Sequence, residues 1–201
     1  MLVTRVALFG GSFNPPHVAH QLVALYVLET QPVDELWFTP VYAHVFGKEL
    51  APWDDRVRMC ELAAAALGPR AKVCRVEEEL ARRPGFAGSR TLDLVEHLKA
   101  TRPELALRLV VGTDILAETA KWHRWDDVVA AAPLIVVGRT GHPLPPGSHA
   151  TGVTMPDISS TAIRAALSRG EEGRAELRSL LPASVLWYIA ERDLYGSRPE
   201  S

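Results

Sequence analysis

The chain has 201 residues, with 22 Lys and Arg against 24 Asp and Glu and a formal net charge of -2 at pH 7. This length suits one sizeable core, or a single domain with a small appendage, and is short for two independent domains. A nearly balanced charge gives no reason to expect nucleic acid or an anionic membrane as a partner. Any anionic ligand must therefore be held by local charge.

The two cysteines indicate a reducing compartment. Cys60 and Cys74 lie in apolar patterns typical of a helix and a strand, which predicts buried free thiols and neither a disulfide nor a zinc site. No apolar run approaches membrane-spanning length, and the first residues form a predicted strand without a signal-like segment. We therefore expect a soluble, cytoplasmic protein.

The first motif is a predicted strand, a glycine turn and a predicted helix. An apolar run ends at Gly10 and Gly11, and apolar residues repeat at helical spacing beyond His20. The small residues leave backbone N–H groups accessible at the positive end of the helix, which suits a phosphate. His17 and His20, if both lie in the first helical turn, can donate hydrogen bonds to phosphoryl oxygens. The alternative is an ordinary turn with two solvated histidines.

Strands and helices alternate through the rest of the first two thirds. Strands are predicted at 35–40, 72–76, 107–111 and 134–137, and helices at 54–67, 91–101 and 125–132. This alternation predicts right-handed crossovers and an α/β fold with a doubly wound, mostly parallel sheet. Ligands of such sheets bind at the carboxyl ends of the strands.

The C-terminal third is predicted to be mainly helical. After a Pro-, Gly- and His-rich connection come a short strand at 153–155 and helices at 159–169 and 183–192. We expect a single domain over 1–201. It divides into a core at 1–139, a loop at 140–152 and a C-terminal helical part at 153–201.

The second motif is Ile158-Ser159-Ser160-Thr161-Ala162-Ile163-Arg164. Ser159 or Ser160 can cap the helix, and Arg164 lies one turn further on along the side of Ser160. Such a helix start can bind a triphosphate. The alternative is an N-capped surface helix with an unrelated arginine.

Both motifs resemble signatures of known enzymes. The first is similar to the turn of the nucleotidyltransferase superfamily, Gly-Gly-Ser/Thr-Phe-Asn/Asp-Pro followed by His-x-Gly-His, with Ala19 in place of the usual glycine. The second is similar to the Ile-Ser-Ser-Thr-x-Ile-Arg signature of the nicotinate mononucleotide adenylyltransferases. Further similarity lies in Phe38-Thr39-Pro40 with His44 and Lys48, Arg56-Val57-Arg58-Met59, Gly112-Thr113-Asp114, Trp122, Val137-Gly138-Arg139 and the tail from Leu181 to Tyr195.

The resemblance implies a Rossmann-like nucleotidyltransferase fold and a specific reaction. The phosphate of nicotinate mononucleotide attacks the α-phosphorus of ATP, giving a dinucleotide and pyrophosphate. A phosphate monoester is already ionised near neutral pH, its second pKa being about 6, so alignment and charge neutralisation suffice. The candidate catalytic residues are His17, His20, Lys48 and Arg164, with Mg²⁺ held mainly by phosphates and water and by no protein metal site.

The resemblance also implies two sets of binding residues. ATP is expected at Gly10, Gly11, Ser12, Phe13, His17, His20, Gly112, Asp114, Ile158, Ser159, Ser160 and Arg164. Nicotinate mononucleotide is expected at Asn14, His44, Lys48, Arg90, Thr91 and Trp122. Two alternatives stay open: Asp114 as a helix N-cap, and Trp122 as a core residue like Trp125.

Two departures from the family pattern leave other functions open. Arg90 stands in Ser89-Arg90-Thr91 where the family has an aromatic residue, although Thr91 keeps the backbone donors that favour the acid over the amide. Ala19 keeps open a non-catalytic nucleotide-binding regulator. Transferases acting on nicotinamide mononucleotide, flavin mononucleotide or pantetheine phosphate are further alternatives. The oligomeric state, including a homo-oligomer, is also open.

Overall fold

A parallel β-sheet forms the centre of the molecule. The computed structural model describes residues 3–44, Gly47, 49–144 and 150–196. Within them, six strands pair in parallel in the order β3-β2-β1-β4-β5-β6. They are β1 Thr4–Gly11, β2 Glu35–Pro40, β3 Ala71–Val73, β4 Leu105–Gly112, β5 Leu134–Arg139 and β6 Thr154–Met155. The predicted doubly wound α/β fold is confirmed.

Helices cover both faces of the sheet. They are α1 Val18–Thr30, α2 Trp53–Ala65, α3 Val76–Ala81, α4 Thr91–Thr101, α5 Thr113–Leu116, α6 Trp125–Ala131, α7 Ser160–Leu167, α8 Glu171–Glu176 and α9 Ala183–Glu191. Short 3-10 turns lie at Thr119–Lys121, Leu177–Ser179 and Leu194–Gly196. Among the described residues, no helix is long and apolar enough to cross a membrane.

The position of β1 explains where the cleft forms. Val6 and Leu8 enter one apolar layer and Ala7 and Phe9 the other, as expected for a strand buried on both faces. β1 pairs with β2 on one side and with β4 on the other, so the strand order reverses next to β1. At such a reversal a crevice opens at the carboxyl ends of the strands. The glycine turn after β1 lies at this crevice.

The C-terminal helices pack on α2. Met59 and Ala63 of α2 share a buried cluster with Ile163 of α7 and Ile189 of α9. At the edge of this cluster, Asp55 of α2 accepts hydrogen bonds from the Tyr188 hydroxyl at 2.7 Å and Arg192 Nε at 3.3 Å. The predicted division of the chain at 139 and 152 stays a prediction.

The largest local difference from the sequence analysis lies after β3. The strand predicted at 72–76 ends at Val73, and Val76 begins α3, which was not predicted. Val76 and Leu80 lie one turn apart and are both buried, while Glu77 and its two glutamate neighbours favour the positive start of the helix. The apolar residues therefore serve a helix and not a longer strand.

Smaller differences concern element ends and short elements. The other predicted bounds differ from the observed ones by up to two residues at either end, and α5, α8 and the 3-10 turns were not predicted. In the predicted loop at 140–152, positions 145–149 lie outside the described residues. Cys60 and Cys74 are buried free thiols, as predicted. Burial raises the pKa of both thiols.

Candidate active site

A cleft of about 910 Å³ opens at the carboxyl ends of the strands. It gathers nearly all the predicted site residues: Gly10, Gly11, Ser12, Phe13, Asn14, His17, His20, His44, Arg90, Thr91, Asp114, Trp122, Ile158, Ser159, Ser160 and Arg164. Gly112 lines a smaller compartment that adjoins the cleft. Lys48 lies outside the described residues, so its role stays a prediction.

The two histidines of the first motif stack on each other. His17 is the N-cap of α1 and not a residue of its first turn, and His20 is the third residue of the helix. Their ring centroids are 3.7 Å apart at an interplanar angle of 30°. Phe13 and His20 pack in a T-shaped arrangement, with ring centroids 5.0 Å apart. The pair is thereby fixed at the wall of the cleft.

A backbone hydrogen bond sets the tautomer of His20. Its Nδ1 accepts the His17 backbone N–H at 3.0 Å, so in the neutral ring the proton resides on Nε2. Burial, followed by the charges of His17 and Arg139, lowers the pKa of His20 well below its usual value. Burial and then Arg139 lower the pKa of His17 to about 4. Both rings are neutral at pH 7, and His20 offers Nε2–H as a donor.

The second motif contacts the turn of the first. Arg164 Nη1 donates to the Asn14 carbonyl at 2.8 Å, and the Ser160 hydroxyl donates to the Pro15 carbonyl at 3.1 Å. Ser159 is the N-cap of α7, but its side chain makes no capping hydrogen bond. The two signatures, about 145 positions apart, therefore form one wall of the cleft.

Asn14 connects three segments through its side chain. It is 2% exposed, and its Oδ1 accepts the Ala51 N–H at 3.1 Å and the Tyr195 hydroxyl at 2.8 Å. Tyr195 was not among the predicted site residues, although the tail that contains it resembles the family. Since Oδ1 is already engaged, the expected contact between Asn14 and the mononucleotide stays a prediction.

An arginine of the cleft pairs with two carboxylates. Arg139 Nη1 donates to Asp114 at 2.6 Å, and Nη2 donates to Asp157 at 2.8 Å. Asp114 lies in the first turn of α5, whose N-cap is Gly112, so the N-cap alternative for Asp114 is wrong. A Cβ at Gly112 would collide with Asp114 Oδ1, which explains the glycine.

The smaller compartment has a volume of about 210 Å³ and a lining that is mainly apolar. Ala19 of α1 and Met155 of β6 lie on its wall, and His20 and Asp114 belong to both cavities. The methyl group of Ala19 therefore occupies space next to the cleft.

The far end of the cleft is formed by the start of α4. Arg90 is the exposed N-cap of this helix, Thr91 is its first residue, and the Ser89 hydroxyl accepts the Tyr42 N–H at 2.8 Å. Trp122 packs edge-on against Trp125, with ring centroids 5.2 Å apart. Trp125 is half-buried at this contact and does not join the core cluster that Trp122 touches, which corrects its placement in the core.

Several cleft residues were not assigned from the sequence. Ser89 and Arg139 lie inside motifs that resemble the family and could have been found there. Lys121 and His123 flank Trp122 and have no signal of their own. Across the ranges given above for the structure, no three or more His, Cys, Asp or Glu residues group into a metal site.

Known protein sequences match this chain over most of its length. The cytidylyltransferase-like family model matches residues 8–166. A probable nicotinate-nucleotide adenylyltransferase of Anaeromyxobacter dehalogenans (strain 2CP-1) is 52% identical over 191 residues, covering 95% of this chain and 96% of that protein. A protein of the same name from Myxococcus xanthus is 38% identical over 192 residues, covering 96% and 95%.

Solved structures share the fold. Plasmodium falciparum nicotinic acid mononucleotide adenylyltransferase complexed with NaAD matches with a TM-score of 0.80 and 18% identity, over 98% of this chain and 100% of that chain. The same enzyme complexed with APC matches with a TM-score of 0.77 and 17% identity, over 98% and 100%.

Proposed function

Because the chain belongs to the nicotinate-nucleotide adenylyltransferases of the cytidylyltransferase-like family, we propose that it transfers the adenylyl group of ATP to nicotinate mononucleotide. The products are nicotinate adenine dinucleotide (deamido-NAD) and pyrophosphate, and the reaction is a step of NAD biosynthesis. The observation that carries the proposal is the stacked pair of His17 and His20, with the tautomer of His20 fixed at the cleft wall.

The reaction needs alignment more than proton transfer. An oxygen of the mononucleotide phosphate forms a bond to the α-phosphorus of ATP as the bond to the bridging oxygen of pyrophosphate breaks. The attacking phosphate is ionised near neutral pH, with a second pKa of about 6, so no side chain must remove a proton. The electron pair of the broken bond leaves on pyrophosphate. The site must therefore hold two anions in line and stabilise the charge of the transition state.

His20 is suited to that stabilisation. A neutral Nε2–H donor stabilises negative charge on the α-phosphoryl oxygens without changing its own protonation state. His17 holds the ring of His20 by stacking and by its backbone N–H. Arg164, and Lys48 from outside the described residues, are the cations that we assign to the phosphates.

Mg²⁺ is expected to enter with ATP. The carboxylates that line the cleft, Asp114 and Glu118, are paired with Arg139 and Lys121, so they are poorly suited to bind a cation. The phosphates and water then supply the metal ligands, as Mg²⁺ prefers. The small compartment beside Gly112 is assigned to the adenosine end of ATP.

We assign the pyridine end to the start of α4. Thr91 belongs to the first turn, where backbone N–H groups and the positive helix end favour a carboxylate. Arg90 is exposed beside it and can pair with the same carboxylate. Trp122 lines the cleft, and we assign its ring to the contact with the pyridine ring. His44 lines the cleft near this end. The buried thiols Cys60 and Cys74 support the proposed cytoplasmic location.

Pyrophosphate release tests the proposal. The purified protein is incubated with ATP and Mg²⁺, with and without nicotinate mononucleotide, and both pyrophosphate and the dinucleotide are measured. We expect both products in equal amounts and only when the mononucleotide is present. The second candidate, a nucleotide-binding regulator, is favoured by the Ala19 methyl group in the cleft region. Binding of ATP without release of pyrophosphate would support that alternative and contradict the enzyme.

A further inference from the structure

A buried arginine lies behind the cleft without lining it. Arg56 of α2 is 1% exposed, and its guanidinium donates four hydrogen bonds to backbone carbonyls. Nε binds Ala51 O at 2.9 Å, Nη1 binds Ser12 O at 3.1 Å and Val41 O at 2.8 Å, and Nη2 binds Tyr42 O at 3.1 Å. Four of the five guanidinium N–H groups are thus used to join three segments of the chain.

No carboxylate neutralises this cation within the described part of the chain. The neighbouring Asp54 and Asp55 pair with other arginines, and the guanidinium of Arg56 lies 5.5 Å from the centre of the Trp53 ring. Burial lowers the pKa of Arg56, but an arginine stays charged in proteins. Removing an ion from water is unfavourable, and apolar residues of similar volume often replace buried ion pairs without loss of stability. The retained charge therefore points to a role beyond packing.

The hydrogen bond to Ser12 fixes the direction of the next amide. In a trans peptide the C=O and the following N–H point in opposite directions. Since the Ser12 carbonyl faces Arg56, the Phe13 N–H faces away from Arg56. Ser12 and Phe13 both line the cleft. Among the described residues, no backbone acceptor is recorded for this N–H.

The conformation of Phe13 shows that the turn is held in place. Its φ is +45°, a region that a bulky side chain enters only when its surroundings fix it. Arg56 holds the carbonyl before Phe13, and Arg164 holds the Asn14 carbonyl after it. With the Ser12 and Asn14 carbonyls both bound by arginines, the Phe13 N–H is left for a ligand.

We propose that Arg56 is a positioning residue for phosphate: it orients the Ser12–Phe13 peptide so that the Phe13 amide donates to a phosphate oxygen of ATP. The inference rests on the proposed function. Arg56 also connects the phosphate-binding turn to the segment after β2, through its hydrogen bonds to Val41 and Tyr42. Because the charge of Arg56 is buried and poorly screened, it adds positive potential on the side of the bound phosphates.

Substitution of Arg56 by methionine and by lysine tests the inference. Arg56→Met keeps a long stem and removes every donor, whereas Arg56→Lys keeps the charge and loses the planar fork. For Arg56→Met we expect kcat to fall by about tenfold or more, as for the displacement of one transition-state donor. The inhibition constant of pyrophosphate should rise by a similar factor, and that of adenosine should stay within about twofold. Arg56→Lys should recover part of both losses.

Arg70 provides a matched control. Its guanidinium also binds carbonyl oxygens, those of Leu28, Val33 and Asp34, at the opposite end of the sheet from the cleft. Arg70→Met should lower the melting temperature while leaving kcat and pyrophosphate inhibition unchanged. If Arg56→Met also lowers only the melting temperature, Arg56 is only structural and the inference is wrong. The same conclusion holds if Arg56→Met weakens inhibition by adenosine and by pyrophosphate equally.

A measurement on the unsubstituted protein covers the case in which the Arg56 variants do not fold. In ¹⁵N–¹H spectra, titration with pyrophosphate should move the Phe13 amide resonance downfield, while the Arg56 Nε–H stays protected from exchange. An unmoved Phe13 amide would overturn the inference. Product formation by the unsubstituted enzyme is read separately, so a protein that makes the dinucleotide yet fails these tests refutes the role of Arg56 alone.

Discussion

At the level of single residues, His20 has the most specific chemical assignment in the cleft, because a backbone N–H sets its tautomer. For His20→Ala we expect kcat to fall by about a hundredfold or more, with little change in ATP affinity, since the donor acts mainly in the transition state. His17→Ala should reduce both kcat and the affinity for ATP. The measurement is steady-state kinetics with ATP binding determined separately.

His97→Ala is the control for the histidine variants. His97 lies on α4, contacts Glu79 and does not line the cleft, so its replacement should leave kcat within about twofold. Near wild-type turnover in His20→Ala would show that His20 does not carry the proposed role.

Ala19 is the residue at which this chain departs from the glycine of the family. Its methyl group lines the compartment assigned to adenosine, so Ala19→Gly should leave kcat/KM equal or higher. The cost is up to about 1 kcal/mol of helix stability. Ala24→Gly, on the buried side of the same helix, should cost stability without changing kcat/KM. A large loss of activity confined to Ala19→Gly would reveal a contact that the present account does not include.

The sequence predicted which residues line the site better than it predicted the contacts that they make. The glycine turn, the two histidines and the Ile158–Arg164 segment all line one cleft. The tautomer of His20 could not be predicted, because it depends on His17 being the N-cap and not a helical residue. The pairing of Arg139 with Asp114 joins two strand ends and has no local signal.

At the level of elements, α3 contains a buried carboxyl group beside the proposed substrate-binding helix. Glu77 is 3% exposed, and burial raises its pKa to about 7 against the opposing hydrogen bond from Ser89. Its folded pKa exceeds the unfolded value of about 4.3, so the folded state binds the proton more tightly. The stability that this proton provides is complete below the unfolded pKa and is lost as the pH rises through about 7.

Glu77→Gln should remove this pH dependence. Relative to the unsubstituted protein, its free energy of unfolding should rise by about 2.5 kcal/mol between pH 5 and pH 8. Urea unfolding at the two pH values measures the change. Glu96→Gln, at an exposed position on α4, should show a constant difference. A constant difference for Glu77→Gln as well would mean that Glu77 ionises as freely in the folded protein as in the unfolded chain. A falling difference would mean that folding lowers its pKa.

Periodicity predicted the long elements and failed at a short one. The 91–101 helix and the strand at 35–40 have the predicted bounds, because each is long enough to repeat its pattern. After β3, the apolar positions Cys74 and Val76 fit either a strand or a helix start. The choice depends on Leu80 packing into the core, which is a tertiary contact.

At the level of the whole molecule, Tyr195 fastens the end of the described chain to the phosphate-binding turn. Tyr195→Phe removes the hydrogen bond to Asn14 Oδ1, which keeps its bond from the Ala51 N–H. We expect the free energy of unfolding to fall by about 1 kcal/mol, as for a typical buried hydrogen bond. Chemical denaturation measures it. Tyr26→Phe makes the same chemical change on α1 and should cost less than about 0.5 kcal/mol.

Equal stability changes in the two tyrosine variants would contradict the tie between the tail and Asn14. Contacts between residues so far apart in the chain could not be predicted from the sequence. Asn14 and Tyr195 are 181 positions apart, and Asn14 and Arg164 are 150 apart. Hydrophobic pattern and motif spacing carry no information on contacts at these separations. The resemblance therefore matched Arg164 and Tyr195 to family motifs without showing which residues they contact.

The central claim is adenylyl transfer to the acid mononucleotide, and a competition assay tests it most directly. Equal concentrations of nicotinate and nicotinamide mononucleotide are supplied with limiting ATP and Mg²⁺, and the two dinucleotides are separated and counted. Their ratio equals the ratio of the two kcat/KM values. Because an amide presents N–H donors to the donors at Thr91, the acid product should exceed the amide product by about tenfold or more, equivalent to about 1.4 kcal/mol. Equal amounts, or an excess of the amide product, would contradict the account.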